Sequence, residues 1–175
     1  GSYCAEGASA PLPCEKGTYS NATNLTSAGE CTHADPGFYA TTGSTEQTPC
    51  APGTYTDEPK QSTCKPCEPG SFQNASGATA CMSCPEGSFC PEGASAALPC
   101  AEGSYSSATG LESSDQCIVC PPGHACVTGA VEPAACAPGS YAADEGMASC
   151  ERCAAGSWQG ADEAKTCEAC TTGAW

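Results

Sequence analysis

The stretch that decides the fold is Cys50-Ala51-Pro52-Gly53-Thr54-Tyr55, followed by Cys64-Lys65-Pro66-Cys67-Glu68-Pro69-Gly70-Ser71-Phe72 and by Cys81-Met82-Ser83-Cys84. A cysteine opens each unit, and a glycine and an aromatic residue follow at fixed offsets. Pro-Gly in this setting calls for a tight turn whose third residue has positive φ, a conformation glycine adopts without steric penalty. The same unit stands at Cys14-Glu-Lys-Gly17-Thr-Tyr19 and Cys84-Pro-Glu-Gly87-Ser-Phe89. It continues with Tyr105, Tyr141 and Trp158 as the aromatics and restarts at Cys170. One aromatic per unit offers the only large apolar surface, expected to pack over a disulfide or against the next unit.

A longer period contains this short one. Cys4, Cys14, Cys31, Cys50, Cys64, Cys67, Cys81 and Cys84 recur without a gap as Cys90, Cys100, Cys117, Cys136, Cys150, Cys153, Cys167 and Cys170. Residues 1–86 and 87–172 therefore read as two copies of one cysteine-rich repeat unit, and 173–175 as the start of a third.

Composition points the same way. Leu, Ile, Val and Phe together supply eleven of 175 residues, too few for a hydrophobic core. Eighteen cysteines take the place of that core. A bridge closing ~15 residues is worth roughly 3 kcal/mol in the loop-entropy account, so a set of bridges can hold a chain that would otherwise be disordered. Such a scaffold needs an oxidising compartment, which makes the expected location extracellular, secreted or at the cell surface. Three sequons, at Asn21, Asn24 and Asn74, agree with a secretory route and predict N-linked glycans. The second copy has none of them. No leader or transmembrane run stands in the sequence, so the chain reads as a mature excerpt with no membrane insertion by this segment.

The net charge of −15 is scattered rather than blocked, which excludes nucleic acid as a partner and fits a solvated, self-repelling surface. Calcium is disfavoured because no EF-hand spacing occurs. The run Cys64-x2-Cys67-x13-Cys81-x2-Cys84 has the spacing of a four-thiolate zinc site. The x13 interval also separates Cys50 from Cys64 and Cys136 from Cys150, so it reports the length of the unit and no metal ligand is assigned. No redox Cys-x-x-Cys is assigned either, since helical periodicity is absent. His33 and His124 read as solvated loop residues, and no nucleophile and base can be assembled around them, so the chain is not read as an enzyme and no cofactor is expected.

Pairing follows from the one mismatch between the copies. Cys120 and Cys126 have Ala34 and Ala40 as counterparts, so they are present or absent together and are assigned to each other. Equal spacing assigns Cys84 to Cys90. The others pair as sequential neighbours: Cys14 with Cys31, Cys50 with Cys64, Cys67 with Cys81, Cys100 with Cys117, Cys136 with Cys150 and Cys153 with Cys167. Cys4 and Cys170 remain open, and their deficits are complementary. Each is expected to meet a neighbouring unit, in a longer chain or in another subunit, rather than the other end of the same extended ladder. The unbridged loop from Ala34 to Ala40 is expected to be retained but looser than Cys120 to Cys126.

With these motifs the chain resembles the ephrin-receptor-like and tumour-necrosis-factor-receptor-like cysteine-rich repeats, whose simplest module is opened by Cys-x-x-Gly-x-aromatic and closed by the next cysteine. The resemblance implies a small disulfide-rich fold, an elongated tandem-repeat rod of short β-hairpins and turns with almost no helix and no hydrophobic core. It also implies relatives among protist and algal surface proteins, including mastigoneme-like filaments. The expected function is an extracellular structural repeat forming a glycosylated rod, filament or surface-coat segment that self-associates end to end through Cys4 and Cys170. The alternative is a ligand-binding or adhesion receptor ectodomain, for which Leu111, Ile118, Val119, Val127 and Val131 offer the most apolar stretch.

Overall fold

A computed structural model describes residues 1–171 of the chain; positions 173–175, expected to begin a third unit, lie outside the described residues. Among the described residues the secondary structure is antiparallel hairpins of two-residue strands and two single 3-10 turns, Ala28–Glu30 and Ser114–Gln116. Contacts divide the chain into two compact units, one of Gly1–Ser83 with Pro91–Ala96, the other of Cys84–Cys90 with the chain from Ala97 on.

In the first unit, Ser2–Tyr3 pairs with Leu12–Pro13, Thr18–Tyr19 with Thr32–His33, Phe38–Tyr39 with Thr48–Pro49, Thr54–Tyr55 with Lys65–Pro66, and Ser71–Phe72 with Met82–Ser83. In the second, Ser88–Phe89 pairs with Leu98–Pro99, Ser104–Tyr105 with Ile118–Val119, His124–Ala125 with Ala134–Ala135, Ser140–Tyr141 with Glu151–Arg152, and Ser157–Trp158 with Glu168–Ala169. Hairpins this short are not stable alone, so each depends on its bridge and on its neighbours.

The turn that opens a hairpin has the geometry its residues require. At Ala51-Pro52-Gly53-Thr54 the Thr54 N–H donates to the Ala51 carbonyl at 3.0 Å, and Gly53 has a φ of 83°. Pro before Gly is the type II arrangement. The Thr54 hydroxyl adds a second bond to the same carbonyl at 2.7 Å. Ser71, Ser104, Ser140 and Ser157 repeat that bond, which explains the small hydroxyl residue between glycine and aromatic.

Counting each module from its opening residue as position one, as at Cys50, puts glycine at four, the aromatic at six and Thr56 at seven. Residues at positions one and seven form the interior. Position one is fully buried at Cys14, Ala34, Cys50 and Cys67 in the first unit and at Cys84, Cys100, Cys120 and Cys136 in the second. Position seven is buried at Ser20, Ala40, Thr56 and Gln73 and at Cys90, Ser106, Cys126 and Ala142. The aromatics at position six do not form the interior. Tyr19, Tyr39, Tyr55, Phe72, Phe89, Tyr105 and Tyr141 are half-buried and Trp158 is exposed, because adjacent strand residues face opposite ways.

Within each unit, backbone hydrogen bonds join one hairpin to the next. In the first unit Gly17, Gly37 and Gly53 donate to the position-seven carbonyls of Ala40, Thr56 and Gln73 at 2.7, 2.9 and 2.7 Å. In the second, Gly87, Gly103, Gly123 and Gly139 donate to Ser106, Cys126, Ala142 and Gln159. Position seven donates onward to the following hairpin loop, as from Thr56 to Ala78 and from Ala142 to Ala164. The loop residue of positive φ, such as Gly77 or Glu163, donates back to position one at Cys50 or Cys136.

The glycine at position four also lies against the carbonyl of the positive-φ loop residue two hairpins on. A Cβ at Gly53 would overlap the Gly93 carbonyl, and one at Gly103 the Gly146 carbonyl.

The loop from Ala34 to Ala40 keeps the backbone bonds of its bridged counterpart. Ala34 donates to Gly17 and Cys120 to Gly103; Ala40 donates to Gln61 and Cys126 to Met147. In place of a cystine, Gln47 clamps the turn, accepting from the Asp35 N–H at 2.8 Å and donating to the Asp35 carboxylate at 2.9 Å.

Two predictions test this account. The double variant Ala34→Cys/Ala40→Cys gains a bridge like Cys120–Cys126, whose Cα atoms are 5.9 Å apart; thiol counting on unreduced protein finds no added free thiol, whereas either single variant shows one. Gly53→Ala loses about 2–4 kcal/mol, combining left-handed strain with displacement of a carbonyl, while Gly156→Ala, with no described residue within 4 Å of its Cβ position, loses only about 1–2 kcal/mol. Guanidinium midpoints of the two variants check the order; equal midpoints would remove the close approach as a cause.

Candidate functional site

The chemistry-bearing residues of this chain are its cysteines, so the site is built from them. The first unit contains Cys14–Cys31, Cys50–Cys64 and Cys67–Cys81. The second contains Cys84–Cys90, Cys100–Cys117, Cys120–Cys126, Cys136–Cys150 and Cys153–Cys167. The position-one cysteine has two kinds of partner. One is position seven of its own turn, with a separation of 6 residues, at Cys84–Cys90 and Cys120–Cys126. The other is the residue just before the returning strand, 14 or 17 residues on, as in Cys50–Cys64 and Cys14–Cys31. Where position seven is cysteine, the second place holds Ala97 or Pro133; the two solutions do not occur in the same hairpin.

Cys4 and Cys170 are free and exposed. Each holds the backbone place of a bridged cysteine. Cys4 follows Tyr3 as Cys90 follows Phe89, and its N–H donates to the Leu25 carbonyl at 2.9 Å, as that of Cys90 donates to Leu111 at 2.8 Å. Cys170 stands at position one, and its N–H donates to Gly156 at 2.9 Å, the bond Cys153 makes to Gly139. Pro11 occupies the alternative bridging place in the Cys4 hairpin, so that place offers Cys4 no partner.

Beside Cys4 lies an open groove of about 610 Å³, lined by Gly1, Ser2, Tyr3, Pro11, residues 21–26 and Thr45. Two sequon residues, Asn21 and Asn24, are on its wall, both exposed, with Asn24 at a φ of 65°. Asn74 is exposed on the loop after Phe72. The structure thus brings Cys4, Asn21 and Asn24 to one place and leaves Asn74 elsewhere in the same unit.

The loop carrying Asn24 is closed by Glu30, whose carboxylate accepts from the N–H of Thr26 at 2.6 Å and of Ser27 at 3.2 Å. These donors hold its carboxyl below the usual glutamate range. Gln116 makes the same two bonds, to Glu112 and Ser113, without a titrating group.

Other charged groups are scattered. Lys65 pairs with Asp57 at 3.0 Å on the surface, where such a pair contributes little. His33 is exposed, but His124 is more enclosed than its sequence setting implied, with its ring 3.7 Å from the Glu163 carboxylate. Among the described residues no three His, Cys, Asp or Glu side chains gather as a metal site. Of the apolar stretch, Leu111 is buried; Ile118, Val119, Val127 and Val131 are exposed.

Residues 53–97 match the family model described as tyrosine-protein kinase ephrin type A/B receptor-like. Over that segment the chain is similar to a cysteine-rich repeat of the ephrin-receptor-like kind. Among curated proteins no match is found. The match runs from the glycine of one turn, across the hairpin at Ser71–Phe72, to the residue before Leu98, so it covers the turn, the bridge and the stacking loop described above. The matched segment and the bridges fit an extracellular domain. No helix among the described residues is long and apolar enough to cross a membrane.

Position seven was missed in the sequence. Aligning modules on their glycines shows Ser, Ala, Thr, Gln or Cys there, a small or slender residue each time, and that restriction was the available signal.

Because the Glu30 carboxyl is held low, its closure of the loop is complete above the ordinary value of 4.5 and is lost as pH falls through the depressed one. NMR titration is expected to move the Thr26 and Ser27 amides with a midpoint below 4.5, and Glu30→Gln, which copies Gln116, should abolish that transition. A midpoint at or above the ordinary value would contradict the bonding scheme.

Proposed function

We propose that this chain is an extracellular structural repeat, a disulfide-laddered and N-glycosylated segment of a rod, filament or surface coat, secreted or held at the cell surface. The observation that carries the reading is the pair of open cysteines. Cys4 and Cys170 stand in the backbone places of Cys90 and Cys84, whose Cα atoms are 5.8 Å apart where they are joined. Each open cysteine meets its complement in a neighbouring repeat, and the hairpin pattern continues across the joint. Repetition without a pocket-building core supports an architectural role. A second reading, a ligand-binding or adhesion ectodomain, is favoured by one observation, the exposed Ile118, Val119 and Val127 of the second unit.

Mass spectrometry of the unreduced native protein decides between outcomes. Peptides holding Cys4 and Cys170 should each be disulfide-linked to a peptide of the same repeat type, and Asn21, Asn24 and Asn74 should carry N-glycans. Free thiols at both cysteines, or a Cys4–Cys170 bond within one chain, would overturn the covalent array.

A further inference from the structure

The three sequons stand in two different backbone settings. Asn21 and Asn74 each follow the position-seven residue of their module, Ser20 and Gln73. In both, that side chain accepts from the N–H of the middle sequon residue, Ser20 Oγ from Ala22 at 3.2 Å and Gln73 Oε1 from Ala75 at 2.9 Å. Ala22 and Ala75 are exposed, as are the hydroxyl residues Thr23 and Ser76. Residues 21–23 and 74–76 make no backbone–backbone bond among the described residues, so each of these sequons is held at one point by a local side chain.

Asn24 is different. It has a φ of 65°, the left-handed conformation that glycine supplies at its counterpart Gly110. The middle residue of its sequon, Leu25, is half-buried, and the Leu25 carbonyl accepts from the Cys4 N–H at 2.9 Å. The Glu30 carboxylate takes both the Thr26 N–H, at 2.6 Å, and the Thr26 hydroxyl, at 3.4 Å. The Cys14–Cys31 bridge closes the hairpin around this loop. All three asparagines are exposed, so burial does not separate them; the bonding of the two residues that follow does.

We infer that Asn24 is an N-glycan acceptor only while its loop is open, whereas Asn21 and Asn74 remain acceptors in the folded chain. In the transfer, the asparagine amide nitrogen attacks C1 of the first sugar of a lipid-pyrophosphate-linked oligosaccharide. The N–C1 bond forms and the C1–O bond breaks; the lipid pyrophosphate leaves with the bonding pair, and the amide gives up one proton. The transferase recognises the Asn-x-Thr/Ser unit through its hydroxyl residue, so the acceptor must be a stretch that can be lifted into a second protein. At Asn21 and Asn74 that movement disturbs one local bond. At Asn24 it breaks the Glu30 and Cys4 bonds and turns Leu25 out of its contacts, so only the locally unfolded fraction reacts. The inference rests on the reading of the chain as an N-glycosylated secretory protein and assigns an order within it: sugar on Asn24 first, loop closure by Glu30 second.

The test uses the full chain, made without glycans and carrying its eight internal bridges as confirmed by peptide mapping. Folded chain, and the same chain reduced and alkylated, are given purified oligosaccharyltransferase and the lipid-linked oligosaccharide, and mass spectrometry follows each site. In the folded chain Asn24 is expected to be modified about tenfold or more slowly than Asn21, because its rate scales with the open fraction of the loop. In the reduced chain, with Asn21→Gln to remove the neighbouring acceptor, Asn24 should recover that difference. In the folded chain Glu30→Ala should speed Asn24 alone, while Glu30→Gln, which keeps the two amide bonds as Gln116 does, should not. Peptide mapping of the bridges confirms that both variants have folded. The sorting is overturned by equal rates at Asn24 and Asn21 in the folded chain, by a folded chain that takes no sugar at Asn21 and Asn74, by an Asn24 rate that stays low in the reduced chain, or by one that Glu30→Ala leaves unmoved. No sugar at any of the three sites in the reduced chain overturns the glycoprotein reading instead.

Discussion

The interior of this protein is only as wide as a cystine, and every other feature adjusts to that width. Two-residue strands bury few side chains, and the fully buried ones flank them at positions one and seven, as at Cys50 and Thr56. A cystine fits between them, as at Cys120–Cys126, and so do two methyl groups, as at Ala34 and Ala40. A phenyl ring does not belong there, so the aromatics flank the interior half-buried. Hydrophobic burial is therefore a minor source of cohesion, and hydrogen bonds between backbones carry hairpin-to-hairpin association.

That division explains why the two copies diverge so freely in side chains while keeping one backbone pattern. Glu30 and Gln116 close equivalent loops with the same two acceptor bonds, one charged and one neutral. The unbridged turn at Asp35 keeps its shape through Gln47 and through main-chain bonds that do not involve a side chain at Ala34. What is not free is glycine at position four, where left-handed backbone and a carbonyl from two hairpins away coincide. The constraint is also directional. Within a unit, a hairpin uses one set of groups toward its predecessor and another toward its successor.

The sequence by itself determined the class of structure: tandem short hairpins held by disulfides, opened by a type of turn that Pro-Gly and its relatives dictate, with no side-chain supply for a conventional core. Those features are local, depending on spacing within one module or on composition, and so they are legible without neighbours. The tertiary structure alone decided which residues face inward, because aromatics are conspicuous in a sequence while the small residue beside them is not, and only the alternation of strand faces turns Thr56 inward in preference to Tyr55. It also decided that glycine at position four answers to a loop two hairpins away, that His124 lies near Glu163, and that Cys4 shares its groove with Asn21 and Asn24. Each of these joins residues from different modules, and contacts of that kind arise from how hairpins stack, which no single module encodes.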